Sequence, residues 1–328
     1  MTTSISGSGA EVVTIGEPLA VFAATEPNVS LVAAQRFQKF VAGAELNVAV
    51  GLARLGHSVS YVSAVGQDPL GQFILDQLQA AHVDRQHVQV SADYWTGFYL
   101  KQRVTQGDPD TYYYRKNSAA ANLDPQVLAS LDLTHVKLGH LSGIFAALSA
   151  NDQAIYRELN RRLLAVGATV VFDPNLRPTL WPSRAEMCRV TNQLARDAQI
   201  VLPGLNEGTI LTGEADPVAI ADFYLQQSTV TQVVIVKLGA AGALLKVRGQ
   251  AAQRVPGVHV DSVVDTVGAG DGFAVGLISG LLAGVPITAA VQRACAIGAL
   301  AVTTPGDNDG YPTPAQLTRF YREHHLEA

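Results

Sequence analysis

Short apolar runs alternate along most of this chain with longer stretches in which apolar residues recur every three or four positions. The short runs, rich in Val and Ile, predict buried strands, and the longer stretches predict helices. The predicted strands are Glu11–Ile15, Val59–Val65, Val136–Leu141, Thr169–Asp173, Ile200–Leu202 and Gln232–Val236. The predicted helices are Glu45–Leu55, Gly71–Ala81, Asp152–Val166, Arg184–Ala198, Val218–Gln227, Gly272–Leu282, Ile287–Val302 and Pro314–His324. This alternation predicts an α/β fold, with a mostly parallel sheet covered by helices on both faces.

Two segments depart from the alternation, because they carry strand-like residues without a helix between their halves. They are Pro18–Phe40 and Tyr94–Arg115, and the second predicts a hairpin that turns at Gln106–Pro109. We expect the two segments to pair as a small sheet that acts as a lid. The expected organisation is one domain over residues 1–328, with a discontinuous lid from about 18–40 and 94–115.

Composition and charge narrow the functional classes. The chain has 328 residues, 48% hydrophobic and 16% charged, with a formal net charge of −5. These values predict a soluble globular protein and argue against nucleic acid or an anionic membrane as a partner. Cys188 and Cys295 are the only cysteines, which fits a reducing cytoplasm, and no Lys or Arg precedes Arg36, so the basic region of a signal peptide is missing. We expect the first ten residues to be a loose tail.

The uncharged stretch from Gly272 to Gln292 is long enough to raise the question of a membrane span. Gly284-Val285-Pro286 breaks it into two parts, and Ser279 and Thr288 interrupt it. We interpret the two parts as buried core helices.

The segment Asp265–Phe273 carries the most specific chemistry. Its Gly268-Ala269-Gly270-Asp271 turn follows the apolar run Ser262–Val264 and opens a long helical pattern. Glycines let the backbone approach a ligand closely, and the free N–H groups at a helix start suit an anion. Asp271 could accept a proton from a hydroxyl that attacks a γ-phosphate. The alternative is that Asp271 only caps the helix.

Two commoner phosphate motifs are excluded. The chain contains no GxxxxGK[ST] sequence, which argues against a P-loop fold. A dinucleotide fold needs an acidic residue about 20 positions after its glycines, and Gly272–Gly306 contains no Asp or Glu.

A second motif, Val41–Ala49 leading into Leu52–Gly56, completes a pair of signatures. Together with Gly268–Asp271 it resembles the ribokinase-like (phosphofructokinase-B) sugar kinases, and Leu205–Glu207 and Val236–Gly242 lie between the two in the expected order. Ala42 departs from the pattern, since the family usually has a glycine there. The resemblance implies a three-layer α/β/α sandwich with a small β-sheet lid, ATP as phosphoryl donor and Mg²⁺ as its counterion, and it leaves dependence on a monovalent cation open.

Within this family the chain most resembles the sugar-acid kinases, those that phosphorylate 2-keto-3-deoxygluconate. The residues that carry this closer match are Ile15–Pro18, Gly43–Asn47, Thr96–Leu100, Tyr112–Arg115, Ser118–Ala120, Asn175–Arg177, Leu180-Trp181 and Pro305–Asn308. A carboxylate on the substrate gives an arginine in the lid a partner, because a guanidinium can grip it with two hydrogen bonds.

The resemblance implies roles for particular residues. Asp271 is the expected general base, and Gly268, Ala269 and Gly270 form the expected anion hole. The expected substrate contacts are Gly43, Ala44, Glu45, Leu46, Asn47, Tyr99, Tyr113, Tyr114, Arg115, Arg177, Asp271 and Asp307. The expected nucleotide contacts are Asn175, Arg177, Asn206, Lys237, Gly239 and Gly242, together with Gly268–Asp271. Asn206 and Glu207 are expected to organise magnesium and phosphates through water, and the sequence leaves open which of the two does which. No residue is assigned as a direct metal ligand.

Strand alternation limits one of these assignments. It sends Tyr113 and Arg115 to one face of their strand and Tyr112 and Tyr114 to the other, so only one face meets the substrate. The second face predicts contact with another subunit, and hence a homo-oligomer formed through the lid.

Two alternatives remain open at this point. One is a fructokinase or another sugar or nucleoside kinase of the same fold. The other is a sugar-binding regulator without catalytic turnover, against which the intact Gly268–Asp271 turn argues.

Overall fold

The computed structural model describes residues 9–105, 107, 109–304 and 306–326. Its strands are β1 Val12–Ile15, β2 Leu19–Pro27, β3 Phe37–Ala42, β4 Val59–Gly66, β5 Val88–Ser91, β6 Phe98–Arg103, β7 Thr111–Tyr114, β8 Leu138–Ser142, β9 Thr169–Asp173, β10 Ile200–Val201, β11 Val233–Lys237, β12 Ala243–Val247 and β13 Gln253–Val255. Its α-helices are α1 Ala44–Arg54, α2 Pro69–Ala80, α3 Gly143–Leu148, α4 Ala150–Ala165, α5 Arg184–Ala195, α6 Leu205–Thr212, α7 Pro217–Gln227, α8 Ala269–Leu282, α9 Ile287–Ala301 and α10 Pro314–Glu323. All the predicted strands and helices are present, with ends that differ by up to three residues.

The main sheet has nine strands in the order β13-β12-β11-β10-β9-β8-β1-β4-β5. All neighbours from β11 to β5 pair in parallel, and β12 and β13 continue the sheet as antiparallel strands. The sequence pattern missed β5, β12 and β13, which lie at or next to the two edges of the sheet. It also missed α3 and α6, which are too short to show a clear helical period.

Helices cover both faces of this sheet, as the alternation predicted. On one face α1, α2, α8, α9 and α10 bury Leu46, Leu277 and other apolar side chains. On the other face α4, α5 and α7 bury a second set that includes Leu159 and Val190. Adjacent strand residues supply both sets, since side chains alternate along a strand. The result is the three-layer sandwich that the resemblance implied.

The uncharged stretch after Gly272 forms two buried helices. Helix α8 ends at Leu282, Gly284 has a φ of 70°, and α9 begins at Ile287. Over the described residues, no helix is both long and apolar enough to cross a membrane.

The two irregular segments form a separate four-stranded sheet, in the order β3-β2-β6-β7. Strands β2 and β6 pair in parallel, whereas β3 and β7 join the edges in antiparallel fashion. We call these four strands the small sheet. Gln106 and Asp108 of the predicted turn lie outside the described residues, as do Met1–Ser8 of the predicted tail and Pro305 of the late motif.

Candidate active site

A pocket of about 290 Å³ lies between the small sheet and the carboxyl edge of the main sheet. This is the edge at which ligands bind in open parallel sheets. The predicted site residues that line it are Gly43, Ala44, Glu45, Asn47, Tyr99, Tyr113, Arg115, Asn175, Arg177, Lys237, Gly268, Gly270, Asp271 and Asp307. Residues up to 264 positions apart in sequence therefore meet at one site, from Gly43 to Asp307.

The floor of the pocket is the N-terminus of α8. Gly268 is the N-cap and has a φ of 82°, and a Cβ there would collide with the carbonyl oxygen of Asp307. Glycine is thus required both by its left-handed conformation and by the lack of space. The first N–H groups of a helix have no partner within the helix, although Ala269 makes a long 3.4 Å contact with the carbonyl of Thr266. The free amides and the helix dipole make this turn suitable for a phosphoryl group.

Asp271, in the first turn of α8, is oriented by two side-chain amides. The Nδ2 group of Asn47 donates to Oδ2 of Asp271 at 2.8 Å, and that of Asn175 contacts Oδ1 at 3.3 Å. Burial raises the pKa of Asp271, while the Asn47 hydrogen bond and the charges of Arg177 and Lys237 oppose the rise. A carboxylate with a raised pKa is a better proton acceptor, and this one sits beside the anion-binding turn.

Two cationic side chains, Arg177 and Lys237, reach the pocket from the main sheet. Arg177 follows β9 and uses Nη1 to contact Oδ1 of Asn175 at 2.8 Å and the carbonyl of Leu176 at 2.9 Å. Within the described part of the chain, Arg177 forms no ion pair with a carboxylate, so its charge is available to a ligand. Asn175 has a φ of 39°, a left-handed conformation that Asn tolerates better than most residues.

Lys237, at the end of β11, is held against a buried carboxylate. Its Nζ lies 2.6 Å from Oδ2 of Asp173, the last residue of β9. Burial alone would lower the pKa of Lys237, but the charges of Asp173 and Glu207 and the hydrogen bond to Asp173 raise it instead. Lys237 is therefore protonated, and only 3.7 Å separates its Nζ from the position that a Cβ on Gly270 would take.

Arg115 lines the pocket but already has a partner. Its Nε donates to Oε2 of Glu17 at 2.6 Å, and its Nη2 also pairs with that oxygen. The hydroxyl of Ser118 donates to the other oxygen, Oε1, at 2.5 Å. The Glu17 side chain is fully buried. From the sequence, Arg115 is expected to be a cation free to bind a substrate carboxylate. In the structure Glu17 neutralises it, and Nη1 is the donor without a partner among the described residues.

Glu45 is a buried acid at the start of α1. The hydroxyl of Ser142 donates to its Oε1, and no described residue donates a hydrogen bond to its Oε2. Burial raises the pKa of Glu45 to about 7, against the opposing effect of the Ser142 hydrogen bond. Glu45 therefore changes charge near neutral pH at the wall of the pocket.

The small sheet presents two tyrosines to the pocket. Tyr99 and Tyr113 are paired across β6 and β7, and their ring centroids lie 4.9 Å apart. Tyr114 is on the opposite face, stacked on Phe98 at 4.7 Å, and does not line the pocket. Its assignment as a substrate contact is therefore replaced by the packing role that strand alternation predicted.

Strand β6 of the small sheet contacts two loops near the start of α8, one containing Asp265 and the other containing Asp307. The hydroxyl of Tyr99 lies 3.4 Å from Oδ2 of Asp307, and the Nζ of Lys101 lies 2.6 Å from Oδ2 of Asp265. Burial raises the pKa of Asp307 to about 6, although the charge of Lys101 opposes the rise. These contacts hold the small sheet over the anion-binding turn.

Several predicted residues lie outside the pocket. Leu46, on α1, is fully buried in the core, and Ala269 is not among the residues that line the pocket. Asn206 and Gly239 are exposed, and Gly242 is buried where a Cβ would collide with the chain at Val255–Gly257. Both oxygens of Glu207 accept backbone N–H groups, from Leu176 at 2.7 Å and Gly204 at 2.8 Å, so Glu207 supports the loop after β9.

Other residues of the site carried no individual role in the sequence analysis. Glu17, Ser142, Asp173 and Asn308 are polar and buried, and each contacts a pocket residue. The single signal available for Asp173 was its place at the end of a predicted strand. The others become visible only when segments distant in sequence are brought together.

Known proteins resemble the chain over almost its whole length. The model of the pfkB family carbohydrate kinase matches residues 10–314. A 2-dehydro-3-deoxygluconokinase of Bacillus subtilis (strain 168) is 46% identical over 311 residues, covering 94% of this chain and 95% of the relative. The crystal structure of a PfkB protein from Polaromonas sp. JS666 superposes with a TM-score of 0.86 at 41% identity, covering 94% of this chain and 99% of that one. A protein from E. coli assigned as a ribokinase II, in complex with ATP and Mg²⁺, gives a TM-score of 0.87 at 26% identity, covering 96% and 100%.

Proposed function

Because this chain belongs to the pfkB family of carbohydrate kinases, we propose that it uses ATP to phosphorylate 2-keto-3-deoxygluconate, also named 2-dehydro-3-deoxygluconate. The product is the 6-phosphate, formed at the primary hydroxyl. The observation that carries this proposal is the placement of Asp271 between an anion-binding helix start and a pocket with two arginines. The similarity to the Bacillus subtilis 2-dehydro-3-deoxygluconokinase, at 46% identity, supports the choice of substrate.

In this mechanism Asp271 accepts the proton of the primary hydroxyl as its oxygen attacks the γ-phosphorus. The N–H groups that open α8 stabilise the negative charge of the transferring phosphoryl group, and Arg177 adds a cation from the side of the main sheet. Such a reaction depends chiefly on positioning and on charge stabilisation. The small sheet acts as the lid of a single kinase domain in this proposal, because its residues Tyr99 and Tyr113 line the pocket together with Asp271.

The substrate carboxylate binds near Arg115 in this proposal. Its free Nη1 group donates to the carboxylate, while Glu17 holds the guanidinium in place through Nε and Nη2. Arg177 is the second candidate partner, because no described carboxylate neutralises it. The ion pair with Glu17 partly neutralises Arg115, but it fixes the orientation of the Arg115 guanidinium.

ATP binds with its γ-phosphate at Gly268–Asp271 and its adenosine toward Lys237–Gly242, where Lys237 is a second cation beside Arg177, paired with Asp173. The donors present fit an anionic nucleotide, since the helix start offers unpartnered N–H groups. Mg²⁺ bound to the nucleotide phosphates supplies charge neutralisation of the transferring group. Dependence on a monovalent cation is tested by comparing turnover in potassium and in tetramethylammonium salts.

A homo-oligomer formed through the small sheet is part of the proposal. The outward face of the small sheet carries Phe22, Phe98, Tyr112 and Tyr114, whose rings contact one another. Tyr112 is 61% exposed and Tyr114 is 44% exposed, so the face is largely uncovered in the isolated chain. Exposed apolar clusters of this kind mark protein contacts. Sedimentation at micromolar concentration should give more than a monomer, and a strictly monomeric mass contradicts this part.

The proposed reaction is tested by coupled ADP release against a panel of acceptors. The panel contains 2-keto-3-deoxygluconate, 5-dehydro-2-deoxygluconate, fructose and ribose. The highest kcat/KM should belong to 2-keto-3-deoxygluconate. A preference for fructose would select the fructokinase alternative, and binding without turnover of any acceptor would select the regulator.

A cytoplasmic location is also proposed, from the presence of two unpaired cysteines, and cell fractionation tests it.

A further inference from the structure

Two buried amides lie in line behind Asp271. The Nδ2 group of Asn308 donates to Oδ1 of Asn47 at 2.9 Å, and the Nδ2 group of Asn47 donates to Oδ2 of Asp271 at 2.8 Å. Asn47 is 2% exposed and Asn308 is 7% exposed, so water competes little for either amide. A continuous hydrogen-bonded chain therefore runs from the loop before α10 to the carboxylate at the start of α8.

The amide of Asn47 has one polarity along this hydrogen-bonded series: it accepts from Asn308 and donates to Asp271. A carboxamide has one end that accepts and one end that donates, so its neighbours decide which end faces which way. The donor from Asn308 and the accepting oxygen of Asp271 both require the donating end of Asn47 to point at Asp271. The reversed amide would place two donors together at Asn308 and two acceptors together at Asp271.

Asn308 is itself held in a fixed position. Arg54 donates from Nη1 to the main-chain carbonyl of Asn308 at 2.6 Å. Arg54 and Asn47 both belong to α1. The same loop is fastened to α8, since the hydroxyl of Tyr311 donates to the carbonyl of Gly268 at 2.8 Å. The loop, α1 and the start of α8 therefore form one connected unit around the carboxylate.

We propose that Asn308 is a positioning residue for phosphoryl transfer, acting on Asp271 through the amide of Asn47. By fixing that amide it engages Oδ2 of Asp271 and leaves Oδ1 as the proton-accepting oxygen, which receives only the long contact from Asn175. The inference rests on the proposed function in one respect, the role of Asp271 as general base.

The test is the pH dependence of kcat/KM in variants of Asn308. Hydrogen bonds donated to a carboxylate lower its pKa, so a weaker Asn47 contact raises the pKa of the base. In Asn308→Ala the acid limb should move to higher pH by ~0.5–1 pH unit. In Asn308→Asp, which keeps the shape but accepts where Asn donates, the shift should be larger, because Asn47 turns its donor to the new carboxylate and its oxygen to Asp271.

A double variant tests whether Asn308 acts on Asp271 through Asn47, which we call the relay, or through a general disturbance of the site. In an Asn47→Ala background, Asn308→Ala should cause no further shift of the acid limb, since the connection is already cut. Asp309→Asn is the matched control in the same loop, because Asp309 is exposed and its side chain makes no hydrogen bond among the described residues. Its profile should coincide with that of the unchanged protein.

An acid limb that stays in place while kcat falls in both Asn308 variants would overturn the proposal, since Asn308 would then only brace the loop. So would a full shift that persists in the Asn47→Ala background. The near-isosteric Asn308→Asp serves if Asn308→Ala fails to fold. A substrate-free measurement, ¹³C titration of the Asp271 carboxyl assigned by comparison with Asp271→Asn, must show the same upward pKa shifts. It distinguishes failure of the relay from failure of the proposed sugar-acid substrate.

Discussion

Replacing Arg115 with Leu tests the buried ion pair beneath the small sheet. The Glu17 side chain is fully buried, and its charge is met by Arg115 and by one hydroxyl, that of Ser118. Leu at position 115 fills much of the same space without a charge or a donor. Glu17 then keeps one hydrogen bond and loses its cation.

The size of the effect follows from the burial of Glu17. Removing one member of a buried ion pair costs about 3–5 kcal/mol, because the remaining charge has no partner. Protonation limits this cost: an ordinary glutamic acid, with a pKa of about 4.3, takes up a proton at pH 7 for about 3.7 kcal/mol at 1.36 kcal/mol per pH unit. We therefore expect Arg115→Leu to lose about 3 kcal/mol of unfolding free energy at pH 7.

The unfolding free energy of the Arg115→Leu variant should depend on pH. A buried carboxylate without a cation favours its neutral form, so we expect folding of the variant to bind a proton and its stability to fall as pH rises. The deficit of the variant should be largest at pH 7 and should shrink by roughly 2–3 kcal/mol at pH 5.

Urea unfolding at both pH values measures these differences, and Glu17→Gln/Arg115→Leu is the matched control. The double variant has no buried charge at these positions, so it should recover most of the loss and show no extra pH dependence.

In the Glu17→Gln background, Arg115→Leu should still raise KM for 2-keto-3-deoxygluconate relative to Glu17→Gln alone, while KM for fructose changes little. A loss below about 1 kcal/mol, or equal losses in the single and double variants, refutes the reasoning about Glu17. Equal changes in KM for the two sugars remove Arg115 from carboxylate binding.

Three further substitutions probe the base, the anion-binding turn and the buried acid. Asp271→Asn should lower kcat by roughly 10²–10⁴-fold and spare ATP binding, because the amide keeps the shape but cannot accept the proton; near-normal kcat in the purified variant removes Asp271 from this role. Gly268→Ala places a Cβ against the carbonyl of Asp307 at a φ of 82° and should cost about 1–3 kcal/mol of unfolding free energy together with a loss of kcat; an unchanged melting temperature contradicts this. The pKa of Glu45 is raised from 4.5 to about 7, so its ionisation makes the protein less stable as pH rises across that interval, by up to about 3 kcal/mol. Glu45→Gln should remove that decline from urea unfolding curves, and parallel pH profiles for the two proteins refute the assignment.

The fold was predictable because its signals are local. Runs such as Thr169–Asp173 and the break at Gly284 identify elements from neighbouring residues alone, and strand alternation correctly separated Tyr113 from Tyr114. The small sheet was also predictable, since Pro18–Phe40 and Tyr94–Arg115 lack a helix between their halves. Strands β5, β12 and β13, which lie at or next to the two edges of the main sheet, were not predicted.

The partners of the site residues were less predictable, because they depend on contacts across the fold. The motif containing Arg115 indicated a binding role, but the buried carboxylate of Glu17 lies 98 positions away in sequence. Asn308 meets Asn47 across 261 positions, and neither residue carries a local sign of that contact. Lys237 was assigned to the nucleotide, and its ion pair with Asp173 could be inferred only after β9 and β11 were placed at the same edge.

The most direct test of the account is to identify the product formed from ATP and 2-keto-3-deoxygluconate. The purified protein should give stoichiometric ADP and one phosphomonoester whose ³¹P signal couples to the two protons of C6, and the Asp271→Asn variant should form it far more slowly. Absence of phosphorylated product with correctly folded protein, or phosphate on another carbon, contradicts the central claim.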